Sequence, residues 1–240
     1  KKRRAAARRF FAIIFAKLVE KDKKLCYVKE LCDISNYKDA DEELKLHLEN
    51  FKKIGIKINE NCRYIECKCD KIESRNIVLD FPSVGATENL VLASILGNQE
   101  VVINNAAKEP EIVNVATFLN NMGAKIKGAG TDVIKVYGAE HLHGGTYSII
   151  PDQIEAGTFM VAAAATRGDV LIKNCIPKHM EPITAKLEQS GAEVIEYEDS
   201  IRVRMNKAPK AINIKTLPYP GFPTDMQPQF GTYLTLANGS

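Results

Sequence analysis

Apolar residues recur along the chain at two spacings, and the order in which the spacings alternate sets out a repeating plan. At 110–126, PEIVNVATFLNNMGAKI puts Ile112, Val115, Ala116 and Leu119 on one side of a 3.6-residue period and stops at a glycine; EPITAKLEQSGAEVI at 181–195 follows the same rule. Both predict amphipathic helices closed by glycine. DVIKV at 132–136 and DSIRV at 199–203 alternate with period two, which predicts strands with one buried face. Before each helix stands a strand ending in asparagine, EVVINN at 100–105 and DVLIKN at 169–174. Each unit opens with FPSVGATENLVLASIL at 81–96 or IPDQIEAGTFMVAAAAT at 150–166, read as a strand ending in Gly-Ala or a similar small pair, where a helix can start close to a neighbouring backbone.

Gly123 and Gly191 lie 68 residues apart, and Ile134 and Ile201 lie 67 apart. The same ruler reaches backwards: in ELKLHLENFKKIGIKI, Gly55 precedes Gly123 by 68, and Ile65 precedes Ile134 by 69. The chain therefore carries two complete α/β units and the back half of a third, whose front is obscured within residues 1–40. A period this long, holding two strands and two helices, predicts a compact pseudo-symmetric α/β domain with helices inside and sheets outside, rather than a solenoid. Past about residue 210 the pattern breaks into AINIKTLPYPGFPTDMQ, read as a crossing into a second domain. The expected division is a repeat-built domain at 1–208, with residues 1–40 the diverged front of its first repeat, and part of a second domain at 209–240.

Length and composition fit a soluble globular protein: 240 residues, 45% of them apolar, can bury a sizeable core. The net charge of +3 is unevenly placed, because residues 1–24 alone carry +8 and leave −5 for the remainder. KKRRAAARRFFAIIFAKLVEKDKK has the composition of a basic amphipathic helix, suited to a membrane surface, a nucleic acid or an import receptor. Its apolar run, Phe10 to Ala16, is too short to span a bilayer, and no small-residue cleavage site follows. A solvated basic end is the plainer reading, so neither a membrane nor a nucleic-acid partner is expected, and the missing initiator methionine reads as a cut. Six cysteines include no C-x-x-C pair, so reduced structural thiols and a cytoplasmic location are expected. Nothing in the composition gives an oligomeric state. The NGS at 238–240 reads as a chance sequon.

PSVGATENLVLASIL, INNAAKEPEIVNVATFLNNMGAKIKGAGTDVIKVYG, IPDQIEAGTFMVAAAATRGDVLIKN and LPYPGFPTDMQPQF, taken together and in this order, resemble the enolpyruvyl transferases, and within them the UDP-N-acetylglucosamine 1-carboxyvinyltransferases that open peptidoglycan synthesis. The resemblance runs from about residue 76 to 240. It implies two inverse α/β barrel domains, each of three pseudo-symmetric repeats, with the active site between them. It also implies transfer of the enolpyruvyl group of phosphoenolpyruvate to the 3-hydroxyl of UDP-N-acetylglucosamine, with no metal or organic cofactor. The family's front segment with a Lys-Asn pair and its long back segment with an arginine have no counterpart in these 240 residues, so a catalytically inactive fragment or nucleotide-sugar-binding module of the same fold is the alternative. The related shikimate-phosphate branch is disfavoured by PSVGATEN and FPTDMQ.

A sugar hydroxyl is a poor nucleophile, and a carboxylate placed against it as general base is the least such a site needs. The resemblance assigns that role to Asp225, and Pro218, Pro220 and Pro223 stiffen the segment presenting it. It places Ser83, Val84 and Gly85 at the diphosphate of the nucleotide sugar, where free amides at a helix start favour an anion. Phe81 stands where the family often has a lysine. Cys32, in CDIS, is the nearest counterpart of the family's loop cysteine, without its preceding glycines or following arginine-proline; Asp39, Asp41, Glu42 and Glu43 lie where that arginine would bind an anion. Arg4, in KKRRAA, corresponds to a nucleotide-sugar contact. Glu109, Glu111, Asp152 and Glu155 also fall in family-like motifs and are read as helix caps or solvent-facing charges.

Overall fold

The computed structural model describes residues 19–21, 24–30, 38–60, 64–69, 72–95, 97 and 99–239. They form three α/β repeats followed by a short helical segment. In the first, strands β1 (Val19–Lys21) and β2 (Lys24–Glu30) precede helix α1 (Lys38–Lys53), β3 (Lys57–Glu60) and β4 (Tyr64–Cys69). The second runs β5 (Arg75–Val78), α2 (Val84–Ile95), β6 (Glu100–Asn104), α3 (Pro110–Asn121), β7 (Lys125–Lys127) and β8 (Val133–Tyr137). The third runs α4 (Gln153–Ala165), β9 (Asp169–Lys173), a 3₁₀ turn (Pro177–Met180), α5 (Glu181–Ser190), β10 (Glu193–Glu196) and β11 (Ser200–Arg204). A 3₁₀ turn at Thr224–Met226 then leads into α6 (Gln227–Leu234).

The sheets repeat one order. The last strand of each repeat lies in the middle, between the strand just before it and the strand that precedes the helix: β2-β4-β3, β6-β8-β7 and β9-β11-β10. All these pairings are antiparallel. Outside this trio, β5 pairs parallel to β6, whereas β1 pairs antiparallel to β2. The first repeat is thus more complete than its sequence pattern indicates, since β2 occupies the place held by β6 and β9. The helical reading of the basic opening does not extend to Val19–Lys21 or to Lys24, which are strand; residues 1–18, 22 and 23 lie outside the described residues.

Gly-Ala at 85–86 does not end a strand. It lies in the first turn of α2, and β5 ends at Val78. In the third repeat the helix begins at Gln153 with no strand assigned between residues 139 and 152. Pro82 and Pro151 each sit one residue before a capping side chain, so the chain turns into a helix earlier than the apolar run suggests.

Two compact units divide the chain, residues 1–147 and 148–240. In the first, Ile54, Leu90, Ile103, Ile134 and Val136 are fully buried between the helices and the inner faces of the sheets. Ile103 stands opposite Ile134 and Val101 opposite Val136, so one face of each strand supplies the core. In the second unit Met160, Ile183, Leu187, Ile201 and Val203 form the core, joined by Phe222, Met226, Phe230 and Tyr233 from the proline-rich segment and α6. Residues 209–240 therefore pack in the same unit as the third repeat.

The helix ends carry the repeat most clearly. Gly55, Gly123 and Gly191 have φ of 89°, 102° and 102°. The residue after each donates its N–H to a carbonyl five residues back: Ile56 to Phe51, Ala124 to Leu119, Ala192 to Leu187. The glycine N–H itself bonds to Lys52, Asn120 or Glu188. This is the Schellman arrangement, repeated three times at one spacing.

Candidate active site

Ser83, Val84 and Gly85 come together as the entry to α2. Ser83 Oγ accepts the Ala86 N–H at 3.2 Å, and Ser83 O accepts both the Thr87 N–H and the Thr87 Oγ1 proton, at 3.0 and 2.8 Å. Ser83 is thus the N-cap of the helix, Val84 its first residue, and Gly85 is buried in its first turn. Several links hold this entry in place. Thr87 Oγ1 accepts the buried Ala107 N–H at 3.0 Å, tying α2 to the loop before α3. Asn105, at φ 55°, donates through Nδ2 to Leu79 O at 2.8 Å and secures the chain just ahead of the cap. Deeper in, Asn89 Nδ2 donates to His47 Nδ1 at 3.0 Å between two fully buried side chains, joining α2 to α1.

Beside this entry lies a group of carboxylates whose association the sequence does not reveal. Glu88, partly buried on α2, has its carboxyl pushed up to about 7, first by burial and then by the charges of Glu111 and Glu109. Glu109 precedes α3 without capping it, and its Oε2 is buried without a hydrogen-bond partner. At neutral pH Glu88 is therefore divided between its acid and its anion, the condition in which a carboxyl can donate a hydrogen bond as well as accept one. Glu88 and Glu109 lie 21 positions apart, and only the packing of two helix starts brings them near. Asp152 behaves as read from sequence: its carboxylate caps α4, accepting the Ile154 and Glu155 N–H groups at 2.7 and 3.3 Å.

Asp225 belongs to the second unit. It is exposed on the 3₁₀ turn Thr224–Met226, between Pro223 and the start of α6. The segment holding it is anchored on both sides. Phe222 and Phe230 meet edge to face with centroids 5.0 Å apart, and Phe230 meets Tyr233 the same way at 5.9 Å. Ser190 Oγ donates to Leu187 O at 2.6 Å and accepts the Tyr233 hydroxyl at 2.7 Å, both side chains being buried. An exposed carboxylate on a buried support is suited to meet a ligand without moving far. Arg4 and Cys32 lie outside the described residues. The described cysteines Cys67, Cys69 and Cys175 are buried free thiols, and burial pushes the Cys175 thiol up, away from reactivity.

Comparison with known proteins decides the family. Residues 44–240 match the family model of EPSP synthase (3-phosphoshikimate 1-carboxyvinyltransferase). The chain belongs to the EPSP synthase family. Among its curated relatives, the UDP-N-acetylglucosamine 1-carboxyvinyltransferase of Finegoldia magna is 54% identical over 197 residues, covering 81% of this chain and 47% of the relative. UDP-N-acetylglucosamine 1-carboxyvinyltransferase 1 of Carboxydothermus hydrogenoformans is 49% identical over 209 residues, covering 87% and 49%. The chain spans about half the length of the curated relatives it matches. Among solved structures, the enolpyruvyl transferase NikO from Streptomyces tendae superposes with a TM-score of 0.75 at 18% identity, covering 89% of this chain and 51% of that one. EPSP synthase from Acinetobacter baumannii gives 0.53 at 18%, covering 72% and 42%. These likenesses show the fold, an α/β architecture of the inverse-barrel class that the resemblance implies and with which the repeats agree. Among the described residues no helix is long and apolar enough to cross a membrane, and no His, Cys, Asp and Glu group could hold a metal ion.

Proposed function

We propose that this chain is part of an enzyme that moves the enolpyruvyl group of phosphoenolpyruvate onto the 3-hydroxyl of UDP-N-acetylglucosamine, releasing phosphate, in the first step of peptidoglycan synthesis. The observation that carries this reading is about 50% identity to relatives bearing that activity in their names, over more than four fifths of the chain. Asp225 takes the proton of the sugar hydroxyl as its oxygen bonds to the enolpyruvyl carbon, and the bond from that carbon to the phosphate oxygen breaks. Ser83, Val84 and Gly85 present the start of α2 to the diphosphate, where amides not used in capping favour negative charge. Arg4 and Cys32 are assigned, by resemblance alone, to nucleotide-sugar binding and to the role of the family's loop cysteine as acid. Residues 209–240 are taken as the opening of a second domain of the same kind, and the location as cytoplasmic.

Phosphate release that requires both substrates tests the reading, measured on the 240-residue chain and on the chain extended at both ends to its relatives' length. Turnover in the extended chain, with UDP-N-acetylglucosamine preferred to shikimate 3-phosphate as acceptor, is the expected result. Preference for shikimate 3-phosphate overturns the choice of acceptor.

A further inference from the structure

We propose that Gly157, Thr158 and Gln229 are positioning residues for the carboxylate of Asp225, an inference that rests on reading Asp225 as the base. Gly157 is buried in α4, and a Cβ built there lies 2.8 Å from Ile183 Cδ1 and 3.2 Å from both Cε and Sδ of Met226. Met226 is fully buried and directly follows Asp225 in the same 3₁₀ turn. The missing side chain at 157 is therefore what lets Met226 seat against α4 and sets the depth of the turn. The next residue of the helix sets its rotation. Thr158 Oγ1 donates to Ile154 O at 2.6 Å, which leaves an acceptor lobe for Gln229 Nε2 at 2.9 Å. Met226, Gln229, Phe230 and Tyr233 stand at i, i+3, i+4 and i+7, so one face of the turn and α6 docks while Asp225 faces out. Depth comes from Gly157 against Met226, and angle from Thr158 against Gln229.

A general base must lie within hydrogen-bond reach of the proton it takes, and a displacement of about 1 Å can cost on the order of a hundredfold in rate. Substrate affinity depends little on such a shift, because the base acts mainly in the transition state. Gly157→Ala forces Ile183 Cδ1 to move aside and Met226 to give way by a few tenths of an ångström, and both contacts are made by flexible side-chain ends. Alanine also suits a helix interior better than glycine, so the fold should tolerate the change.

The test measures kcat, KM for both substrates and thermal melting for Asp225→Asn, Gly157→Ala, Ile183→Val, the Gly157→Ala/Ile183→Val pair and Gln229→Met. The assay uses the 240-residue chain if it turns over, and otherwise the chain extended to its relatives' length. Gly157→Ala should lower kcat about ten- to a hundredfold, with KM changed less than about twofold and melting within a few degrees of the parent. Ile183→Val removes the atom nearest the new methyl, so it should be near silent alone and restore most of the lost kcat in the pair. Gln229→Met should lower kcat severalfold with KM unchanged, giving a second readout should Gly157→Ala fail to fold. Loss of kcat in Asp225→Asn with parental kcat in both Gly157→Ala and Gln229→Met overturns the positioning role and leaves the base intact. Failure of Ile183→Val to rescue also overturns it. Parental kcat in Asp225→Asn removes the base reading itself.

Discussion

Glu88 shows how neighbours change what one residue does. Its carboxyl is raised to about 7 from an ordinary 4.5, by burial first and then by Glu111 and Glu109. An acid raised on folding binds its proton more tightly in the folded protein. Its contribution is therefore fully present below about 4.5 and is lost as pH rises through about 7. The gap corresponds to at most about 3 kcal/mol. Glu88→Gln, which mimics the protonated acid, should leave the melting temperature unchanged at pH 4 and raise it at pH 8. Parallel stability curves for the two proteins between those limits would exclude the coupling. For Asp225 the corresponding test is Asp225→Asn, which keeps shape and capping ability but cannot accept a proton. Turnover should drop by about two to four orders of magnitude while nucleotide-sugar affinity, measured by calorimetry, stays close to the parent's. Unchanged turnover would make Asp225 a turn residue only.

At the scale of elements, the glycine stops were legible because each leaves a local mark: an amphipathic period and then the one residue that takes a positive φ cheaply. Gly123→Ala should cost roughly 1–2 kcal/mol in a urea melt, because a side chain at φ 102° is strained, and Gly123→Asn should cost less. Equal costs for the two would mean that the left-handed backbone is not what is being measured. Other elements left no such mark. Helix α2 buries Gly85, Ala86, Thr87, Asn89, Leu90, Val91, Ala93, Ser94 and Ile95, almost its whole circumference. A helix apolar all round shows no period, which is why its first turn reads as the end of a strand. Strand β2, KLCYVKE, is a short apolar run between lysines that adjoins a basic stretch, and its place is set by pairing with β4 about forty residues later. The candidate site divides in the same way. Ser83 to Gly85 and Asp225 stand in contiguous motifs, whereas the Glu88, Glu109 and Glu111 group and the seat of Met226 on Gly157 are made by helices meeting across the fold.

At the scale of the whole molecule, the same 68-residue ruler that organises the helices also bounds the chemistry. The three repeats hold the capped entry to α2, proposed above for the nucleotide sugar, and the carboxylate proposed as base stands just beyond the third repeat, while the matched relatives are about twice as long. Enolpyruvyl transfer joins two anionic substrates, so a site for it needs cationic groups arranged around both, together with exclusion of water while the carbon–oxygen bonds exchange. Such a site is assembled by positioning and closure, and a rate that depends on both collapses when either is incomplete. The 240-residue chain alone is therefore expected to give no phosphate release above buffer with both substrates present, and the chain at its relatives' length is expected to turn over. Phosphate release by the short chain, abolished by Asp225→Asn, would locate the whole of the chemistry within residues 1–240 and overturn the expectation that it is shared with further sequence. Release that survives Asp225→Asn would point to a contaminating phosphatase, which omission of UDP-N-acetylglucosamine would expose at once.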